Sequence, residues 1–325
     1  MIPPGLRGSR DSSCFLASTA PTTSSEMTMA MAFGQTVRTY AELTKPRLLP
    51  LVLITGLPAL AMASGEWPGL QTMSFVLLGI ALAAAAASTF NAYVERDLDK
   101  EMERTRDRPL PAGRLAPGAA LTFGFVLTGL SAVVLYEFGG VIAAGLGIAT
   151  ILFYVFVYTI WLKPRTAWNA VIGGAAGAAA PLIADAAVNG TIGAPGLVLF
   201  SIVFFWQPPH VWAIALFRKD EYARAGFPVL PNVIGDHPTR WRMFWYTLGL
   251  VPVTLAPVAL GLSGWLYLGV ALVANAWFLS HAVRVLRRRT PEAARGMFLA
   301  SLGYLFALFA AMIAELALGL APALS

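Results

Sequence analysis

The run LLGIALAAAAASTF, residues 77–90, passes without interruption into NAYVERDLDKEMERTRDRPLP, residues 91–111. The first run carries no charge, whereas the second places six acids and five basic residues between Glu95 and Arg108, in a chain of which only 12% is charged. An uncharged run of that kind suits hydrocarbon, where backbone polar groups must pair within their own helix. The junction therefore reads as a helix that leaves a bilayer and continues into water.

Composition agrees, since the 325 residues are 57% hydrophobic with a mean hydropathy of +0.67, above what soluble domains carry. Apolar stretches of the roughly 17–25 residues that a transmembrane helix needs lie near 48–64, 71–93, 118–136, 141–161, 168–187, 196–214, 244–262, 265–282 and 297–318. The expected fold is an all-α membrane protein with nine transmembrane helices. All 23 Lys and Arg fall before the first stretch or in alternate connections after it, while SGEWPGLQ (64–71), EFGG (137–140) and VNGTIGAPG (188–196) contain none. Cytoplasmic loops collect Lys and Arg, so the N-terminus is expected inside and the C-terminus outside. The net charge of +6 then reflects orientation and anionic lipid headgroups, and no nucleic-acid partner is expected.

Residues 1–37 are Ser/Thr-rich and charged only at Arg7, Arg10, Asp11 and Glu26. They read as a disordered extension, as a segment upstream of a start at Met27, Met29 or Met31, or as a targeting segment. Residues 38–325 are expected to form the transmembrane domain. The one cysteine, Cys14, excludes an internal disulfide framework.

Carboxylates are costly in hydrocarbon, so their placement is informative. Of seventeen acids, eight lie in two short segments on the basic side: Glu95, Asp97, Asp99, Glu101, Glu103 and Asp107 in the first, Asp220 and Glu221 in the second. Asn91, Glu95 and Asp99 recur at i, i+4 and i+8, which puts three oxygen ligands on one stripe of a helix and turns Asp97 away. Mg²⁺ takes oxygen ligands, commonly one or two carboxylates completed by phosphates and water, and the stripe supplies such an incomplete shell. Arg104, Arg106, Arg108 and Arg114 follow, with guanidinium forks suited to phosphate oxygens. Pro109 and Pro111 end the helix, so the segment should fold back over the membrane face. The competing reading is a solvated loop whose opposite charges pair with one another; Lys100, Glu101 and Glu103 fit that reading, as a solvated hinge.

The second segment, FFWQPPHVWAIALFRKDEYARAGFPVLPNVIGD (204–236), places Pro208 and Pro209 inside the sixth stretch, where they should kink it or open its backbone. His210 follows at membrane depth, on a stripe with Ile214, Arg218 and Tyr222. An intramembrane ionisable residue is either hydrogen-bonded structure or a functional group. Asp185 and Glu315 are expected near the outer surface or paired, without an assigned role.

With both segments read, the chain resembles the UbiA superfamily of intramembrane prenyltransferases, and within it the haem branch formed by the protohaem IX farnesyltransferases. The resemblance rests on TKPR (44–47), NAYVERDLD (91–99), MERTRDRPLPAGR (102–114), YTIWLKPRTAWN (158–169), GGAAGAAAPL (173–182) and WQPPHVWAIAL with the following Tyr222 and AGFPVLP (206–231). It implies a UbiA-like helical bundle around a central cavity. It also implies transfer of the farnesyl group of farnesyl diphosphate to a vinyl group of haem B with addition of water, giving haem O and diphosphate for haem A biosynthesis. Asn91, Glu95 and Asp99 would hold Mg²⁺, and Arg104 and Arg108 would serve catalysis beside them. Lys45, Arg47, Lys163, Arg165, His210, Arg218, Lys219, Asp220, Glu221 and Tyr222 would bind the substrates, Lys163 or Arg165 at the leaving diphosphate. The implied setting is a lipid bilayer, the bacterial inner membrane or alternatively the mitochondrial one, with haem A synthase as a partner.

Two departures from the family pattern stand out. Glu95 occupies a position where Asp is common, and the acid before Tyr222 is Glu221 with Asp220 beside it, which leaves the working acid open between the two; the second segment also lacks a D-x-x-x-D spacing, which leaves a metal role there open. The alternatives are a UbiA-type enzyme acting on an aromatic quinone precursor and, from another class, a secondary transporter. Transporters place polar residues near the midplane between internal repeats; here the acids cluster at one surface and no repeat is visible.

Overall fold

The computed structural model describes residues 34–65, 67–320 and 322. The expectations for residues 1–33, including Cys14 and the starts at Met27, Met29 and Met31, lie outside these. Met1–Arg38 separates as one unit from Thr39–Ser325, and the second unit holds everything that follows.

Among the described residues the structure is helical, without a strand. α1 spans Leu49–Ser64 and α2 Leu70–Lys100; α3, Pro117–Leu152, runs into a π-helical segment, Phe153–Leu162. The short α4 (Asn169–Ile172) and α5 (Gly174–Gly177) precede α6 (Ala180–Asn189) and α7 (Ala194–Phe217). The short α8 (Lys219–Arg224) and α9 (Leu230–Ile234) lead to α10 (Asp236–Ala259), α11 (Trp265–Arg288) and α12 (Pro291–Ala317). Local chemistry sets several ends. α1 stops at Gly65, whose φ of 71° is left-handed. α12 starts with Pro291 in its first turn and with the Thr290 hydroxyl accepting from Ala293 N at 3.3 Å.

Among the described residues six helical segments are long and apolar enough to cross a bilayer: Leu70–Lys100, Pro117–Leu162, Asn169–Asn189, Ala194–Phe217, Trp265–Arg288 and Pro291–Ala317. The difference from the stretches read in the sequence has identifiable causes. Pro117–Leu162 contains Gly140, whose φ of 77° and ψ of −179° interrupt it where EFGG was read as a connection. α1 is only 16 residues long, and α10 opens on polar residues and contains Pro252 and Pro257. The helices keep apolar side chains on their outside: Phe125, Val141 and Trp265 are 64%, 68% and 85% exposed. Apolar surface that the protein itself does not cover requires lipid, so this is a multi-pass membrane protein.

α7 continues through Pro208 and Pro209, both buried. Tightly packed neighbours tolerate the two missing N–H groups. The stripe expected from His210 to Tyr222 does not survive, because Arg218 leaves helical geometry (φ −123°, ψ 18°) and α8 starts a new direction. Asp185 and Glu315 each cap a neighbouring helix. Asp185 accepts from Gly193 N at the start of α7 and from Asn189 Nδ2 at 3.0 Å. Glu315 accepts from Gly264 N at 2.7 Å and Tyr267 N at 3.2 Å at the start of α11. A carboxylate there satisfies orphan N–H groups and the positive end of the helix dipole.

Candidate active site

The face of α2 that carries Ala83, Ala87, Asn91, Glu95 and Asp99 repeats every fourth residue, so small apolar side chains give way to oxygen-bearing ones along one line. Asn91, Glu95 and Asp99 are 1%, 6% and 4% exposed. Asp97 points the other way, its side chain 68% exposed and paired to Lys100 at 2.9 Å. Burial thus separates the stripe from the ordinary solvated charges of the same helix.

Three cations close on the three oxygen groups, two from distant parts of the chain and one from the turn that follows α2. Lys45 Nζ donates to Asn91 Oδ1 at 2.6 Å, Lys163 Nζ donates to Glu95, and Arg108 Nη1 donates to Asp99 Oδ2 at 2.8 Å. Lys45 stands before α1 with a φ of 51°, left-handed for a residue that precedes a proline, a conformation that the surrounding contacts must enforce. Burial, and then the positive charge of Arg108, pushes its ammonium down to about 8, with Glu95 opposing. Arg108 returns to the stripe because the chain turns after α2: the Thr105 hydroxyl donates to Asp99 O at 2.9 Å, and Arg114 reaches Glu42 at 2.6 Å. The fold-back expected from Pro109 and Pro111 is therefore present.

The π-helical segment brings in Thr159 and Lys163. Asn91 Nδ2 donates to Thr159 Oγ1 at 3.3 Å, and that hydroxyl donates to Tyr154 O, five residues earlier, at 2.8 Å. A π turn holds more residues than an α turn and is common at functional sites. Nothing in YTIWLKPR announces that register, so sequence reasoning missed Thr159.

The second segment meets the first through Glu221, whose carboxylate lies 3.9 Å from Arg104 and accepts from Arg218 at 3.2 Å. Its Oε1 is buried without a hydrogen-bond partner. Asp220 is exposed. Lys163 also sits 5.0 Å over the ring of Phe227, and Tyr222 is half-buried. Other residues named from the sequence stand apart: Lys219 pairs with Asp236 at 3.1 Å, Arg165 caps the carbonyls of Ile160 and Trp161 at 2.9 and 3.0 Å, and Arg47 is exposed.

A cavity of about 320 Å³ is lined by Tyr154, Tyr158, Gly173, Gly177, Gln207 and His210, among others. It shares Val52, Tyr154 and Gly177 with a second cavity of about 130 Å³ along Ala83 and Ala87. That one shares Thr150, Ala176 and Ile183 with a third of about 280 Å³. The glycines of GGAAGAAAP both pack and line: a Cβ on Gly173 would stand 2.1 Å from the Tyr158 ring, and one on Gly177 2.9 Å from the Gln207 amide. His210 lies between Trp206 and Phe298, with ring centroids 4.4 and 5.0 Å away, and its Nδ1 is 2.6 Å from Ser301 Oγ.

Among the described residues no group of three or more His, Cys, Asp and Glu side chains converges into a closed metal cage. The stripe instead offers two carboxylates and an amide oxygen, all buried and all drawing cationic partners. That donor set fits Mg²⁺ that completes its shell with phosphate oxygens and water.

Comparison with known proteins follows the same lines. Residues 52–320 match the UbiA prenyltransferase family. The chain is 46% identical over 292 residues to the protoheme IX farnesyltransferase of Methylobacterium radiotolerans, covering 88% of this chain and 92% of that one. It is 47% identical over 281 residues to the protein of the same name from Bradyrhizobium diazoefficiens, covering 85% and 89%. Among solved structures, a digeranylgeranylglyceryl phosphate synthase aligns with a TM-score of 0.73 at 18% identity, over 87% of this chain and 99% of that one. A UbiA homolog from Archaeoglobus fulgidus bound to DMAPP and Mg²⁺ aligns with a TM-score of 0.59 at 17% identity, over 85% and 99%. The helical fold, the match over residues 52–320 and the relatives at 46–47% identity agree: this chain belongs to the UbiA prenyltransferase family.

Proposed function

We propose that this prenyltransferase joins the farnesyl group of farnesyl diphosphate to a vinyl group of haem B with addition of water, releasing haem O and diphosphate for haem A biosynthesis. The acceptor is suggested by relatives of 45–47% identity, over most of their length, that carry the name protoheme IX farnesyltransferase. The reaction type rests on one structural observation, the buried oxygen stripe met by three cations beside an apolar cavity.

In this reading Asn91, Glu95 and Asp99 hold Mg²⁺, which supplies Lewis-acid stabilisation to a diphosphate leaving group. Lys45, Lys163 and Arg108 face the phosphate oxygens and stabilise the charge that develops as the allylic C–O bond breaks. Arg104 joins them, held by Glu221, which we take as the working acid of the second segment in place of the exposed Asp220. Tyr222 borders the same mouth. The cavities along Ala83, Ala87 and Ala179 take the apolar farnesyl chain and keep water from it, and His210 faces the porphyrin. Arg47, Arg165, Arg218 and Lys219 receive no direct contact to the reacting groups.

We further read residues 38–325 as one domain of nine crossings, counting α1, the two halves of Pro117–Leu162 and α10. The alternation of Lys and Arg supports an N-terminus on the cytoplasmic side. A bacterial inner membrane and an association with haem A synthase fit this role. The test is expression in membranes that lack haem A synthase, followed by haem extraction: haem O should accumulate. Its absence, with both substrates supplied and the protein inserted, would overturn the assignment. Prenylation of an aromatic quinone precursor instead would transfer it to the neighbouring branch.

A further inference from the structure

The hydrogen bonds around His210 determine which of its ring nitrogens carries the proton. Ser301 Oγ donates to Phe298 O at 2.6 Å, and a carbonyl can only accept. The single hydroxyl proton is thereby used, so the contact of 2.6 Å between Ser301 Oγ and His210 Nδ1 must be a donation from Nδ1–H. Trp206 fixes the same serine through Nε1–H to Ser301 O at 2.8 Å and stacks on the imidazole. The neutral ring therefore keeps its lone pair on Nε2, and among the described residues Nε2 has no hydrogen-bond partner.

Tyr154, Tyr158, Asn169 and Gln207 add further polar groups to the wall of the same cavity. Gln207 donates its amide N–H to Gly174 O at 2.7 Å and Asn169 donates to Thr166 O at 2.7 Å. Among the described residues each amide keeps its oxygen and one N–H unengaged, and both residues line the cavity with His210. The Nε2 lone pair and the amide oxygens can accept the protons of a water molecule held among these polar groups. The oxygen lone pair of such a water is free to face an electron-poor carbon.

We propose that His210 is the general base that takes the proton of the water added in the reaction, with Gln207 and Asn169 holding that water and Ser301 fixing the tautomer. The inference rests on the farnesyl transfer to haem B proposed above. The C1–O bond of farnesyl diphosphate breaks with its electron pair going to diphosphate. The vinyl π pair forms the new C–C bond to C1 and leaves a cation on the carbon next to the porphyrin. Water forms a C–O bond to that carbon and loses a proton to Nε2; the imidazolium, still donating through Nδ1–H, passes the proton to the departing diphosphate. Atoms and charge balance with no further reactant.

Without the base, the same cation loses a proton from the adjacent CH₂ and gives a farnesylated product lighter by one water. The experiment incubates the enzyme in lipid nanodiscs with haem B and farnesyl diphosphate and measures the ratio of hydroxylated to dehydrated product by mass spectrometry. His210→Gln should lower that ratio about tenfold or more, while thermal stabilisation by farnesyl diphosphate is kept. Ser301→Ala, which frees the tautomer, should lower it about threefold, and this variant decides the matter if His210→Gln does not fold. An unchanged ratio overturns the proposal. So does an unchanged ratio with a displaced Soret band in His210→Gln, which would make Nε2 an iron ligand. If the wild-type enzyme yields no farnesylated haem, the functional reading fails first and this one with it.

Discussion

The two polar segments of this protein are alike in composition and opposite in setting. Asn91, Glu95 and Asp99 lie on a buried helix face, and each is met by a cation, 46 and 68 residues away for Lys45 and Lys163 and nine residues away for Arg108. Arg218 to Asp236 is more exposed and pairs largely within itself, as Arg218–Glu221 and Lys219–Asp236. Charge that pairs locally in water contributes little. Charge held out of water retains strong fields, and such fields are what ionising a diphosphate ester requires. Among the described residues, the ion pair that ties the second segment to the first is that of Glu221 with Arg104.

The sharpest way to break this contrast is to remove a carboxylate from the buried face. Asp99→Ala should lower turnover about 1000-fold or more, measured by farnesylated product from protein verified as inserted and monodisperse; near-normal activity would return the stripe to the solvated-loop reading. Arg108→Gln, which leaves Asp99 buried without its cation, should cost about 100-fold in kcat with a smaller change in KM. Glu221→Gln should cost about tenfold through Arg104, whereas Asp220→Asn should change turnover less than about twofold; the reverse order would assign the role to Asp220. Gly173→Ala pushes against the Tyr158 ring and should destabilise by about 1–3 kcal/mol, read as a lower thermal midpoint in detergent. Asp97→Asn, on the solvated face of the same helix, should alter stability by at most about 1 kcal/mol and activity not measurably.

Much of this site was legible before the fold was known, because an α-helix converts a spacing of four into a shared face. Asn91, Glu95 and Asp99 follow from that rule alone, as does the outward direction of Asp97. The prolines of RPLP announced the chain reversal that returns Arg108 to Asp99. The stripe extended from His210 to Tyr222 failed, since it assumed a helix that Arg218 ends. Lys219 and Arg165 were grouped with the site for their charge, yet they cap and pair elsewhere. Thr159 escaped notice because a π-helical register leaves no mark in composition, and Ser301 because it sits 91 residues from the histidine it positions.

The sequence by itself determined the class of the molecule, apolar helices in a bilayer, and the line of oxygen-bearing side chains at the end of one of them. Both follow from local periodicity and from the cost of exposing polar groups to hydrocarbon. Which cation meets which oxygen, why Glu221 and not Asp220 turns inward, and which nitrogen of His210 is bare were decided only by the tertiary structure. Those outcomes depend mostly on contacts between segments far apart in the chain, which no local pattern carries.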